Sequence, residues 1–211
     1  MLTAIELYKI LSREYPFSKI SLNYSNKLEL LIAVMLSAQC TDKRVNIVTK
    51  VLFKKYTSVN EYANANLDEL KSIVKSTGFY NSKSKNIQNS CKIIIKNNDG
   101  KIPDTMSKLV SLPGVGRKTA NIVLSNAFGK NVGIAIDTHM IRINTRLGFT
   151  KQTNPDKIEQ DLIKQLPKKL WNKYTYVIIE HGRAVCKAPT PICSKCIIQD
   201  KCPKIGVTKS K

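Results

Sequence analysis

The stretch Leu112-Pro113-Gly114-Val115-Gly116-Arg117-Lys118-Thr119-Ala120 joins two segments of helical periodicity through a turn that holds two glycines. On its C-terminal side, Arg117 to Phe128 places Ala120, Val123, Leu124 and Ala127 along one face and stops at Gly129, so these four are expected to be buried on a helix. Glycines at 114 and 116 permit backbone shapes and close approaches that a side chain would hinder. A turn of this kind can offer amides to a phosphate, and the N-terminus of the following helix adds partial positive charge. Such a unit grips nucleic-acid backbone without reading sequence. On the glycines alone, a plain connector between packed helices is the stronger reading.

Outward from this turn the chain is punctuated by helix signals. Thr3 and Glu6 have capping-box spacing ahead of Ile5, Tyr8 and Leu11, and Pro16 closes that first helix. Asn26 with Glu29 precedes an apolar helix from Leu30 to Ala38, and Thr41 caps one that carries Val45, Val48 and Leu52. Asn66 caps the next, which Gly78 closes, and Ser82 to Asn97 sets Ile87, Cys91 and Ile94 on one stripe before the turn Asn98-Asp99-Gly100. Farther on, Asn154-Pro155 opens a helix with Ile158 and Leu162 inward, and a last one runs from Lys168 to Glu180, ending near Gly182. No stretch alternates long enough for a strand, and Gly133 to Ile136 is too short to build a sheet upon. The expected class is all-α, with Val207 to Lys211 as a solvated tail.

With 35 Lys and Arg against 15 Asp and Glu, the 211-residue chain carries a formal charge of +20. That balance attracts polyanions and makes nucleic acid the leading partner, although a lysine-rich, AT-coded composition would also produce it. The apolar run Leu30 to Ala38 is less than half of the roughly twenty residues a membrane span needs, and the start of the chain lacks a basic-then-apolar signal pattern. The expectation is a cytoplasmic protein, associated with the nucleoid and without membrane contact.

Cys186, Cys193, Cys196 and Cys202 crowd together as C-x6-C-x2-C-x5-C. In a reducing compartment that pattern reads as metal ligation rather than disulfides. The paired CxxC knuckles usual for zinc are missing, and four thiolates suit zinc or an iron-sulfur cluster equally. Cys40 and Cys91 stand apart and read as small buried residues.

Lys118 sits where the helix dipole and Arg117 both disfavour an ammonium, which favours the neutral amine that attacks an electrophilic carbon. Taken by itself it fits a phosphate-contacting lysine better. Asp137, after Ile134-Ala135-Ile136, is a good N-cap for a segment ending near Gly148. The helix from Arg117 is roughly 18 Å long and the connection Gly129 to Ile136 spans up to about 27 Å, so Asp137 can return to face Lys118. Gln39 alone reads as surface polar, Phe79 alone as a core aromatic, and Asp42 as a helix-start residue. His139 and His181 read as structural histidines rather than acid-base catalysts.

The segment Leu112 to Ala120 resembles the helix-hairpin-helix of the endonuclease III family. Other segments match that family in order: LIAVMLSAQCTD at 31–42, Gly78-Phe79-Tyr80-Asn81-Ser82-Lys83, Ile136-Asp137-Thr138-His139 and the cysteine tail. The resemblance covers nearly the whole chain. It implies a six-helix barrel with the hairpin at 22–130, an iron-sulfur domain built from 1–21 plus 131–211, and DNA between the two lobes.

The resemblance also implies an activity. Lys118 would attack C1′ of a damaged nucleotide, with Asp137 assisting deprotonation and stabilising positive charge on the sugar. Base departure would leave a Schiff base whose elimination nicks the strand, making the protein a DNA N-glycosylase for oxidised pyrimidines and an AP lyase. Gln39 would fill the space left by the extruded base, Phe79 would wedge the stack where many relatives carry an aliphatic residue, and Gly114 and Gly116 would meet the DNA backbone. The four cysteines would hold one 4Fe-4S cluster. The implied partner is double-stranded DNA containing damaged pyrimidines or abasic sites, bound by a monomer. A non-enzymatic DNA-binding module would explain everything except Lys118 with Asp137, and a monofunctional mismatch glycosylase would release base without covalent trapping.

Overall fold

Capping chemistry and apolar stripes account for most of the helices in the computed structural model, which describes residues 2–211. Among these residues every regular element is helical and no strand occurs, as the all-α reading requires. In chain order the helices are α1 (Ala4–Glu14), α2 (Lys27–Leu36), α3 (Asp42–Lys55), α4 (Val59–Ala63), α5 (Leu67–Val74), α6 (Tyr80–Asn98), α7 (Met106–Val110), α8 (Arg117–Phe128), α9 (Thr138–Arg146), α10 (Pro155–Gln165) and α11 (Trp171–Ala184). None is long and apolar enough to cross a membrane among the described residues.

The chain divides into two compact units, Ser21–Lys130 and a second made of the residues up to Ile20 together with Asn131–Lys211. The first is organised around α2. Its Leu28 and Leu30 to Leu36 are all buried, the pattern of a helix surrounded on every side. It packs against α8, α3 and α6. Asn26 caps α2 by accepting the Glu29 amide, and Thr41 caps α3 by accepting the Arg44 amide. α2 ends at Leu36, short of the expected Ala38, where the Ser37 hydroxyl donates back to the Val34 carbonyl. α6 begins two residues before the expected Ser82 and leaves through Asp99 and Gly100, both left-handed, with the Gly100 amide on the Ile94 carbonyl. On α8, Ala120, Val123 and Leu124 are buried as expected, but Ala127 is only half-buried, because it lies in the last turn, where the helix leaves the core.

The second unit collects Leu7 and Leu11 of α1, Met140 and Ile143 of α9, Ile158 and Leu162 of α10, and Tyr174 and Ile178 of α11 into one core. Thr3 and Glu6 form the capping box that opens α1. Asn154 accepts the Asp156 and Lys157 amides, with Pro155 at the start of α10. α11 departs from expectation at both ends. Lys168–Leu170 is a 3₁₀ turn, and the helix runs through Gly182 to Ala184. Gly182 is a packing residue rather than a terminator: a Cβ there would lie 2.5 Å from His139 Nδ1 and 3.1 Å from Ile143 Cδ1. The segment Val207 to Lys211 is likewise tied down, since Lys211 donates its amide to the Pro191 carbonyl and accepts the Ser194 amide, each at 2.9 Å.

Candidate functional site

The turn before α8 is built by two glycines with different duties. Gly114 has φ +77°, and a Cβ on it would meet Asn86 Nδ2 at 2.7 Å, so both its conformation and its closeness to α6 exclude a side chain. Ser90 of α6 donates to the Pro113 carbonyl at 3.0 Å, and the Val115 amide closes the turn onto Leu112. Gly116 is different: its φ is −88° and nothing lies within 4 Å of its Cβ position. It is the N-cap of α8 and places no side-chain oxygen over the first turn. Lys118 follows at the second position of the helix, exposed to solvent. The result is an open, positively biased helix start, with a primary amine on its rim.

Gln39 and Phe79 belong to the same unit as this turn. Gln39 has φ +53° in the bend closed by the Cys40 amide on the Ser37 carbonyl, and Phe79 has φ +48° immediately before α6. For residues with a Cβ, this left-handed backbone is strained and persists only where the surroundings over-determine it. Phe79 is 65% exposed, so its ring is no core aromatic. An aromatic held out to solvent in this way is accessible to a partner. The neighbouring Cys40 is half-buried, not buried as expected, because it follows the exposed bend; Cys91 is buried, and burial pushes its thiol up to about 12.

Asp137 lies in the second unit as the N-cap of α9, its carboxylate accepting the Met140 amide at 2.8 Å. It is half-buried behind the fully buried Ile134 and Ile136. His139 and His181 serve packing. His139 Nδ1 lies 3.0 Å from Arg142, and the buried His181 lies 3.3 Å from the Tyr15 hydroxyl; burial holds its imidazole down to about 4.

None of the four clustered cysteines is in a disulfide, and all four line one cavity of the second unit, with Ile143, Leu147 and Ile198 as apolar walls. Burial pushes the Cys196 and Cys202 thiols up, so an anionic sulfur there needs a compensating cation or metal. Around the cavity, Arg146 Nη1 donates to Cys186 Sγ at 3.2 Å and His181 Nε2 stands 3.7 Å from Cys196 Sγ. Arg146 also donates to the Lys187 and Pro189 carbonyls, and Arg142 to the Cys186 carbonyl. Among the described residues no three His, Cys, Asp or Glu side chains converge as they would on a single metal ion. A donor set of sulfurs alone, facing an apolar cavity and supported by arginine, fits a thiolate-bound cluster.

Two arginines beside the cysteines and a buried lysine on α6 were not legible as site residues. Arg142 and Arg146 stand one turn apart on α9, a spacing that marks a shared face, but nothing local says what that face meets.

The model of the HhH-GPD superfamily of base excision DNA repair proteins matches residues 32–168. The endonuclease III of Synechocystis sp. is 46% identical over 200 residues, covering 95% of this chain and 91% of that protein. Among solved structures, a non-covalent endonuclease III-DNA complex aligns with a TM-score of 0.91 at 41% identity, covering 97% of each chain. A trapped endonuclease III-DNA covalent intermediate aligns with the same TM-score, identity and coverage. Similarity of this extent, over nearly the whole length of both proteins, shows that the chain belongs to the endonuclease III family of HhH-GPD base excision DNA repair proteins.

Proposed function

We propose that this protein removes oxidised pyrimidines from double-stranded DNA and nicks the resulting abasic strand, with Lys118 as nucleophile. The observation that carries the reading is the solvent-exposed Lys118 on the first turn of α8, close after a glycine N-cap that makes no side-chain hydrogen bond to the helix start. A relative of the same fold has been trapped as a covalent intermediate with DNA, which is the species such an amine would form. Lys118 Nζ bonds to C1′ as the glycosidic bond breaks and the base departs with its electron pair. Loss of a proton from the amine and opening of the sugar ring give a Schiff base, and removal of the C2′ proton expels the 3′ phosphate. The Asp137 carboxylate takes the proton and stabilises positive charge on the sugar. Gln39 and Phe79 occupy the space that an extruded base leaves, and Gly116 admits a backbone phosphate to the α8 amides.

Cys186, Cys193, Cys196 and Cys202 would hold a 4Fe-4S cluster. When bound it would supply structural organisation to a segment of turns. Protein purified without oxygen should be brown and contain iron and sulfide; stoichiometric zinc would contradict the cluster.

Borohydride trapping on abasic duplex tests the nucleophile. The wild-type protein should form a covalent adduct and Lys118→Gln should not; equal trapping by both would remove Lys118 from the mechanism. Base release without any adduct would instead mark a monofunctional glycosylase. Duplexes carrying thymine glycol, dihydrouracil or 8-oxoguanine rank the substrates.

A further inference from the structure

Lys83 is only 7% exposed, a rare fate for a lysine unless its charge is met. Its ammonium donates to the Leu36 carbonyl at 2.9 Å and to the Thr77 carbonyl at 2.8 Å. Leu36 is the last residue of α2, and Thr77 is the last residue of the 3₁₀ turn Lys75–Thr77. Both carbonyls are therefore the partially negative ends of helical turns, where a cation is favourable. Burial by itself lowers the pKa of this ammonium.

What those two carbonyls precede matters more than the charge itself. Gln39 lies three residues after Leu36, and Phe79 two residues after Thr77. Both have left-handed backbones. Lys83 also donates its own amide to the Phe79 carbonyl at 3.0 Å. One side chain thus ties the ends of the two strained segments together, and its main chain fixes one of them again. Strain of this kind needs restraint from outside the strained residue, and Lys83 is a restraint that both segments share.

We infer that Lys83 is a positioning residue that locks Gln39 and Phe79 into one arrangement, so that the two segments enter the duplex as a unit when a base is extruded. The inference rests on the proposed base-excision function. A locked pair opposes base re-entry without ordering itself during the event. An abasic site has no base to unstack, so the pair contributes less there.

The test compares Lys83→Met and Lys83→Arg with wild type. Met keeps the length and apolar stem and removes the donors, whereas Arg can still bridge two carbonyls. Single-turnover excision from thymine-glycol duplex should fall at least tenfold in Lys83→Met, while borohydride trapping on preformed abasic duplex falls less than threefold, and Lys83→Arg should recover most of the difference. Equal loss on both substrates, or no loss on either, would overturn the inference. If Lys83→Met does not fold by circular dichroism, Lys83→Leu, which also lacks donors, carries the same comparison. If wild type neither excises nor traps, the functional reading fails instead. Hydrogen exchange then decides the inference alone: residues 37–41 and 77–80 should lose protection together in the variant while α8 does not, and independent loss would overturn it.

Discussion

Asp137 caps α9 with its own carboxylate, Oδ1 accepting the Met140 amide at 2.8 Å. The same group is the one proposed to act on the sugar, so a structural duty and the proposed chemical one would fall on one carboxylate. They separate by substitution. Asn caps as well as Asp, so Asp137→Asn should stay within about 0.5 kcal/mol of wild type in a thermal melt while excision falls by about 10²–10⁴. Asp137→Ala should lose about 1 kcal/mol more. Equal activity in Asp137→Asn would leave the residue a cap and nothing else.

The two glycines of the hairpin should respond differently to the same methyl group. Gly114→Ala places a Cβ at 2.7 Å from Asn86 and on a left-handed backbone, which should cost about 1–3 kcal/mol. Gly116→Ala meets nothing, so its folding cost should stay below about 1 kcal/mol. Its effect should appear in DNA affinity, measured by fluorescence anisotropy at fixed salt. A Gly116→Ala protein that binds abasic duplex as tightly as wild type would rule out close phosphate approach at that position.

Glycine at position 39 or 79 should do the reverse. Phe79 is 65% exposed and on a left-handed backbone, so Phe79→Gly relieves strain and gives up little burial. Stability should be unchanged or higher by up to about 1 kcal/mol, with excision reduced. Gln39→Gly should follow the same pattern. A protein that is more stable and less active is the usual sign of strain kept for function; a clear loss of stability in both variants would argue against it.

Gly182→Ala tests the approach of α9 and α11. Alanine is the better helix former by about 1 kcal/mol, yet its methyl would sit 2.5 Å from His139 Nδ1, and overpacking costs about 1–3 kcal/mol. The net should be a loss of about 1 kcal/mol, or roughly 2–4 °C in melting temperature. A higher melting temperature would show that His139 yields freely.

Caps and stripes made much of this fold legible in advance: Thr3, Asn26, Thr41, Asn66, Asp137 and Asn154 each cap the helix that follows them. What escaped has identifiable causes. α4 and α7 have five residues each, too few for a periodic signal, although Ser58 and Glu61 form a capping box that marks the first of them. Gly182 was misread because the same residue type ends helices and admits neighbours, and only the position of His139 distinguishes the two. Lys83 reads like any lysine near a helix start, since the Leu36 carbonyl that it meets comes from 47 residues away. The left-handed backbones at Gln39 and Phe79 have no residue signature, because neither type prefers that conformation. At the cysteines the spacing pointed to a metal, whereas the Arg146 contact depends on chain returning from forty residues away.

The unit that holds the cysteines is assembled from the two ends of the sequence, with Ser21–Lys130 between them, and this imposes an order on biosynthesis. Leu7 and Leu11 of α1 are fully buried in a core shared with Tyr174, Val177 and Ile178 of α11. At a synthesis rate of about 5–20 residues per second, those leucines emerge roughly 10–30 s before the helix that covers them. The inserted unit is contiguous and can complete its own core in that interval. Until α11 has been made, the apolar face of α1 lacks part of the core that covers it, whereas the inserted unit already holds all of its own.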